Sequence, residues 1–251
     1  MSRMTAGQHS PGRSKLADSA LQGEGSELFV VEGDSALASV CAVRSERRQG
    51  VVAFQGKPLN AWYGSAERVD DHAQYRLLAQ ALGLVRASVP QPQPVLNRLR
   101  YGRVVLLLDP DADGIHIAAL LAMYFLRWQP AWVEAGRLLL VRAPMYEIVS
   151  ADGEVQHADH PAQRDAVLAE MATLARSALP GPQGQQGQQG EQGQPVTEAS
   201  PRVQAHRGLG SIRPSVLRER CVDAATRHAM ALSAADIQAM VMAFSRGQRG
   251  A

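Results

Sequence analysis

A run of five apolar residues, Val104 to Leu108, stops at Asp109-Pro-Asp-Ala-Asp-Gly114. A run of that kind reads as a strand buried on both faces, which commits the chain to a layered α/β core. Asp109, Asp111 and Asp113 then stand at every second position. Alternate side chains of an extended segment point the same way, so three carboxylates are expected on one side of a strand end. Like charges that close are costly unless a cation neutralises them. All-oxygen donors without a soft competitor suit Mg²⁺. Gly114 frees the backbone to turn, and residues 115–128 carry a helical pattern. An Asp-rich surface loop is the plain alternative. A calcium loop would need a Glu about six residues after the Gly. Leu120, Leu121 and Ala122 occupy that region and disfavour it.

A second unit of the same kind lies earlier. Glu27-Leu-Phe-Val-Val-Glu-Gly-Asp-Ser-Ala36 again ends an apolar run in an acid, Glu32, followed by a Gly turn. Asp34 and Ser35 are good helix N-cap residues, and residues 36–44 can form the helix. Ligands of open α/β sheets bind outside the carboxyl ends of the strands. If these two strands are neighbours, Glu32 faces the three Asp residues across one crevice. Four carboxylates gathered there are hard to explain as surface solvation.

The rest of the chain repeats the alternation. Strands are predicted at 26–31, 50–54, 103–108 and 137–142. Helices are predicted at 35–45, 71–82, 114–128 and 130–134. Strands separated by helices imply a mostly parallel sheet. Residues 1–25 are polar and read as a mobile lead-in, and residues 26–150 hold the sheet. Residues 151–179 form a helical extension with apolar residues at Val167, Leu168, Met171 and Leu174. The Gly- and Gln-rich stretch 180–201 has nothing to bury and reads as a flexible linker. Residues 202–251 read as a small helical appendage, with helices at 214–221, 224–231 and 233–245.

Composition excludes several classes. The net charge of +2 neither demands nor excludes nucleic acid, so local clusters matter more. Arg44, Arg47 and Arg48 form one such cluster, and Arg98, Arg100 and Arg103 another. Each could meet phosphates or serve as solvated surface charge. Apolar runs are too short for a membrane helix, and the polar N-terminus has no signal core. Cys41 and Cys221 are the only cysteines and lack Cys-x-x-Cys spacing. That argues against a disulfide framework or zinc site and fits a cytoplasmic location.

These motifs resemble those of the TOPRIM domain, in the version carried by B subunits of bacterial type II topoisomerases, DNA gyrase and topoisomerase IV. Residues 27–36 and 107–117 look like its two signature motifs. Pro11-Gly12 with Lys15-Leu-Ala-Asp18 is similar to the segment leading into that domain. Gln55-Gly-Lys-Pro-Leu-Asn60 resembles its Gly-Lys-x-Leu-Asn motif, and Ala143-Pro-Met-Tyr146 its Pro-Leu-Tyr segment. Arg207-Gly-Leu-Gly210 resembles its Lys-Gly-Leu-Gly motif, and Thr226-Arg227 falls where a similar pair stands. The departures include Leu37 and Ala38 in place of Gly-Gly, Cys41 in place of Lys, Pro110, Ile115 and His206.

The resemblance implies a Rossmann-like sheet flanked by helices. It implies that Glu32, Asp109, Asp111 and Asp113 hold one or two Mg²⁺ ions, with Glu32 and Asp109 catalytic. Arg44, Lys57 and Arg207 match basic positions close to DNA. His116 matches a Gly-x-His-Ile pattern, with a packing role as suited to it as a chemical one. The family's tyrosine nucleophile sits on the A subunit, so the expected partners are DNA, an A subunit and a separate ATPase-bearing chain. No ATP site, no ATPase or transducer domain and no membrane contact are expected here. The leading expectation is a DNA cleavage and religation module. The alternatives are a truncated paralogue that regulates by binding the A subunit or DNA, and a stand-alone TOPRIM nuclease.

Overall fold

A computed structural model describes residues 14–178 and 200–247. The 180–201 linker lies outside the described residues except for its last two positions, as do residues 1–13 of the lead-in. The main sheet has six strands. In chain order they are β1 (Leu16–Ala17), β2 (Gly23–Glu32), β3 (Gln49–Phe54), β4 (Tyr101–Leu106), β5 (Leu138–Val141) and, near the C-terminus, a short strand at Ala229–Ala231. Spatially the order is β1-β3-β2-β4-β5 and then that last strand. β3, β2, β4 and β5 run parallel, while the two edge strands are antiparallel. The mostly parallel α/β sheet expected from the sequence is therefore what forms.

Period-two patterning explains the two layers. Leu28, Val30, Val52, Phe54, Val104 and Leu106 face one core. Phe29, Val31, Val51, Ala53, Val105 and Leu107 face the other. A strand buried on both faces has no polar side, which is why these runs are continuously apolar. The second face is covered by α1 (Gly33–Val43). Against the first face pack α2 (Ala66–Asp71), α3 (Ala73–Leu82), α4 (Gln93–Leu96), α5 (Ala112–Trp128) and α6 (Pro130–Glu134). The helix predicted at 71–82 forms as α3, starting after the extended His72, and α2 is a further short helix before it.

A second sheet of three antiparallel strands follows: β6 (Tyr146–Val149), β7 (Val155–Ala158) and β8 (Arg202–Ala205). The long helix α7 (Pro161–Ala178) lies between β7 and β8 in sequence, so the stretch expected to be a helical extension holds a strand, β7, as well as a helix. Beyond β8 come a 3₁₀ turn (Leu209–Ser211), α8 (Pro214–Leu217), a π turn (Arg218–Val222), β9 (Ala229–Ala231) and α9 (Ala234–Gly247).

Two expectations are corrected. The helix predicted at 224–231 is a turn followed by β9, which pairs with β5 through Leu139↔Ala231 and Val141↔Ala229. An uncovered β5 edge would leave backbone groups unpaired, and satisfying them outweighs the helix propensity of an Ala-rich stretch. Residues 14–25, expected to be mobile, are held against the sheet. β1 pairs with β3, Ser19 N–H donates to the Tyr101 hydroxyl at 3.1 Å, and Arg100 pairs with Asp18 at 2.6 Å.

Candidate functional site

β2 and β4 are adjacent and parallel, with Val30 opposite Leu106. The Leu107 N–H donates to the Val30 carbonyl at 3.0 Å, so both chains leave the sheet side by side. From β2 the chain crosses to β3 on one side, and β4 then forms on the other. Reversal of strand order opens a crevice at the carboxyl ends, where open α/β sheets bind ligands. Glu32 ends β2 at this crevice, and Asp109 lies three residues past the end of β4.

The three aspartates reach the site differently from expectation. β4 stops at Leu106, so the Asp residues do not alternate along a strand. Asp109 sits in the loop. Asp111 is the N-cap of α5, accepting from Gly114 N–H at 2.8 Å. Asp113 lies in the first turn of α5 and pairs with Lys57 at 2.7 Å. N-capping satisfies an otherwise orphaned helix donor, and an acid in the first turn suits the helix dipole. Local helix chemistry thus claims two residues that a strand reading groups together.

The other acid is also placed by a turn. Glu32 itself occupies the N-cap position of α1, and the helix begins at Gly33 rather than at Asp34 or Ser35. Gly33 has φ of 75°, a left-handed conformation that favours glycine, and this lets strand pass directly into helix. Asp34 is turned aside to Lys15 at 2.5 Å and to Gln55 at 3.1 Å.

Electrostatics bind the four acids into one group. Burial pushes the Glu32 carboxyl above the usual range, and the charges of Asp109, Asp111 and Asp113 push it further, against the opposing Lys57 ammonium. Burial also raises Asp109, with Asp111 adding to it and a hydrogen bond from Leu209 N–H opposing it. Lys57 holds Asp113 below its ordinary range. Among the described residues, no three His, Cys, Asp or Glu side chains converge as a closed metal cage. The acids are arrayed around Glu32, with Asp111 and Asp113 occupied by a cap and an ion pair.

A segment from the far end of the sequence completes the site. Leu209 N–H donates to Asp109 Oδ1 at 2.9 Å. A Cβ on Gly208 would stand 2.8 Å from Asp109 Oδ2, so the turn approaches as closely as it does because no side chain intervenes. Gly210 lies in similar contact with Ser35. The Gly-Leu-Gly turn therefore bridges the two acidic motifs, and the exposed Arg207 stands at its start. Spacing in the sequence does not reveal this bridge.

Arg44 is not part of the group. It caps the C-terminal end of α1, about 18 Å from Glu32 at 1.5 Å per residue. There it donates to the carbonyls of Asp18 and Gln49. His116 stacks against Phe244 of α9 with ring centroids 4.8 Å apart, and burial lowers its pKa. Lys15, a lead-in residue by sequence, reaches the site through its hold on Asp34. Among the described residues no helix is long and apolar enough to cross a membrane.

Comparison with known proteins points to one family of domains. Residues 27–140 match the model of the Toprim domain. The chain is 34% identical over 232 residues to the B subunit of DNA topoisomerase 4 from Haemophilus influenzae, covering 92% of this chain and 32% of that protein. It is 31% identical over 235 residues to the Escherichia coli counterpart, covering 93% of this chain and 32% of the relative. The chain thus spans about a third of the length of these relatives. A solved structure of the DNA-binding, cleavage and re-ligation domain of Plasmodium falciparum topoisomerase II is similar in fold. Its TM-score is 0.60 at 18% identity, covering 84% of this chain and 26% of that one.

Proposed function

Because residues 27–140 form a Toprim domain and the chain resembles topoisomerase 4 B subunits over nearly all its length, we propose that it is a DNA cleavage and religation module of a type II topoisomerase. It would act with a tyrosine-bearing A subunit. The carrying observation is the pair Glu32 and Asp109, held at the carboxyl ends of adjacent parallel strands and both less acidic than ordinary carboxylates. The Toprim domain is taken as residues 26–150, and residues 151–179 and 202–251 as regions that brace it.

The donor set fits a hard divalent cation, since all four groups are carboxylates and one ammonium offsets them. Glu32 and Asp109 would hold Mg²⁺, with Asp111 and Asp113 turning from their present partners to complete its neighbourhood. Bound there, the ion would supply charge stabilisation to the reacting phosphate. Glu32 is suited to exchange a proton at the oxygen that leaves and later reattacks, because burial and the neighbouring carboxylates raise its pKa above the usual range while no cation is bound. Leu209 N–H keeps Asp109 oriented. Lys57 and Arg207 stand at the rim as phosphate contacts.

Three of the five tyrosines are poorly placed as nucleophiles, which favours a nucleophile from another chain. Burial pushes Tyr75, Tyr101 and Tyr124 up, and each hydroxyl is bonded, to the Leu59 carbonyl, to Asp18 and to the Ala87 carbonyl. A binding-only regulator is the competing reading, favoured by the Lys57–Asp113 pair that occupies one acid.

The test mixes the protein with its host's A subunit, supercoiled plasmid and Mg²⁺, followed by a detergent trap. Nicked or linear DNA carrying covalent protein, lost in Glu32→Ala, is the expected result. A stable complex without cleavage would overturn the catalytic reading and support the regulator.

A further inference from the structure

The opposite end of the main sheet carries a second feature that the acidic site does not use. A cavity of about 340 Å³ opens there, where β2 and β4 begin and α1 ends. Arg48, Arg103 and Arg218 line it, from three separate parts of the chain. All three are exposed. No hydrogen bond or ion pair among the described residues engages the Arg48 or Arg218 guanidinium. Arg103 reaches only a distant 3.9 Å approach to Glu27. Arg44 adds a fourth positive charge, its bonds going to neutral carbonyls.

The acids of the cavity do not cancel these charges. Glu27 is already neutralised by Arg227, which is 3% exposed and contacts it at 2.5 and 2.9 Å. Asp223 is the remaining acid, and it also accepts from Ala225 N–H. Cations therefore outnumber anions in a concave site, where low-dielectric walls focus the field.

The floor is built rather than incidental. Gln49 donates to Glu27 at 3.0 Å and to the Val222 carbonyl at 2.9 Å. Arg227 donates to the same carbonyl at 2.9 Å. This buried network ties the segment bearing Arg218 to the strand ends bearing Arg48 and Arg103. Holding three guanidiniums together, two of them without a partner and the third only distantly paired, costs repulsion, and an anion is what relieves it.

We propose that Arg48, Arg103 and Arg218 form a second phosphate-binding site for the backbone of duplex DNA, at the end of the sheet opposite the acidic crevice. Guanidinium forks match phosphate oxygens geometrically, and three of them converge on one cavity. This rests on the DNA-handling role proposed above. The two ends divide the labour: without a cation the acidic end repels phosphate, so metal-free binding draws chiefly on the arginine end.

The test measures anisotropy of a short labelled duplex with the full chain in EDTA, across a salt series. Cleavage plays no part in it, so loss of the catalytic reading leaves this result interpretable. Arg48→Gln/Arg103→Gln/Arg218→Gln is expected to weaken binding about tenfold or more and to reduce the salt slope by about 2 to 3. The triple Arg→Lys variant should keep the slope, which separates charge from fold damage. Parental affinity and slope in the Gln variant would overturn the proposal. So would arginine-dependent binding of poly-glutamate with unaltered duplex binding, which would assign the cavity to an acidic protein partner.

Discussion

Asp109 and Leu209 are a hundred residues apart in sequence, yet the Leu209 N–H donates to Asp109 Oδ1 at 2.9 Å. A carboxylate in a loop has several rotamers of similar energy. One backbone donor in a glycine-flanked turn selects among them and removes that freedom before any ligand arrives. Preorganisation of this kind is what makes an acid useful in catalysis.

Gly208→Ala should disturb that relationship directly. Its Cβ would lie 2.8 Å from Asp109 Oδ2, closer than real contacts allow, so either the turn or the Asp109 carboxylate must shift and the pairing is disturbed. Metal-dependent cleavage with the A subunit should fall more than about tenfold, while thermal stability falls by only about 1 kcal/mol. Parental cleavage would show that the turn does not position Asp109.

Neutralising an acid at the site should stabilise the metal-free protein. Glu32 and Asp109 both have raised pKa values, so their ionised forms are disfavoured by folding. That cost is present at neutral pH and fades as pH falls toward the raised values. Asp109→Asn can keep the Leu209 hydrogen bond while removing the charge. A gain of a few tenths to about 1 kcal/mol in denaturant melts with EDTA is expected at pH 7. A loss of stability would mean that the repulsion is not the controlling effect.

Adding Mg²⁺ should reverse the ranking. A ligand that binds only the folded state stabilises it by about 2.7 kcal/mol at roughly a hundred times its Kd. The parent should therefore melt higher with Mg²⁺ and Asp109→Ala should not respond. Equal shifts in both proteins would place the ion elsewhere.

Glu27 behaves in the opposite sense. Burial alone would raise it, but hydrogen bonds and charge from Arg227, with help from Gln49 and Arg103, outweigh burial and lower it. Its stabilisation is complete above its ordinary value of 4.5 and is lost as pH falls through the lowered folded value. Glu27→Gln should cost about 3 kcal/mol at pH 7 by leaving Arg227 buried without its partner. The same variant should lose part of the acid dependence below pH 4.5 expected of the parent. An unchanged acid limb in urea melts would remove Glu27 from this role.

Much of the fold is legible because burial on both faces writes itself as unbroken apolar runs. The strands around Val30, Val52 and Val105 and the helix at Pro130–Glu134 follow from such patterns. The acids Glu32 and Asp109 are legible because each interrupts an apolar run just before a glycine turn. The manner of their assembly is not. Alternation along a strand predicts a cluster of Asp109, Asp111 and Asp113, whereas helix capping draws Asp111 to Gly114 N–H and an ion pair draws Asp113 to Lys57.

By itself, then, the sequence determined the layered α/β core, the strand–acid–glycine–helix units and the carboxylates that end them, since these depend on local patterning and turn chemistry. Only the tertiary structure decided that β2 and β4 lie side by side, that the Gly208–Gly210 turn closes over Asp109, and that Ala229–Ala231 becomes a strand. The physical reason is the same in each case. These outcomes hang on backbone hydrogen bonds and close approaches between segments far apart in the chain, and such bonds leave no periodicity for a linear reading to detect.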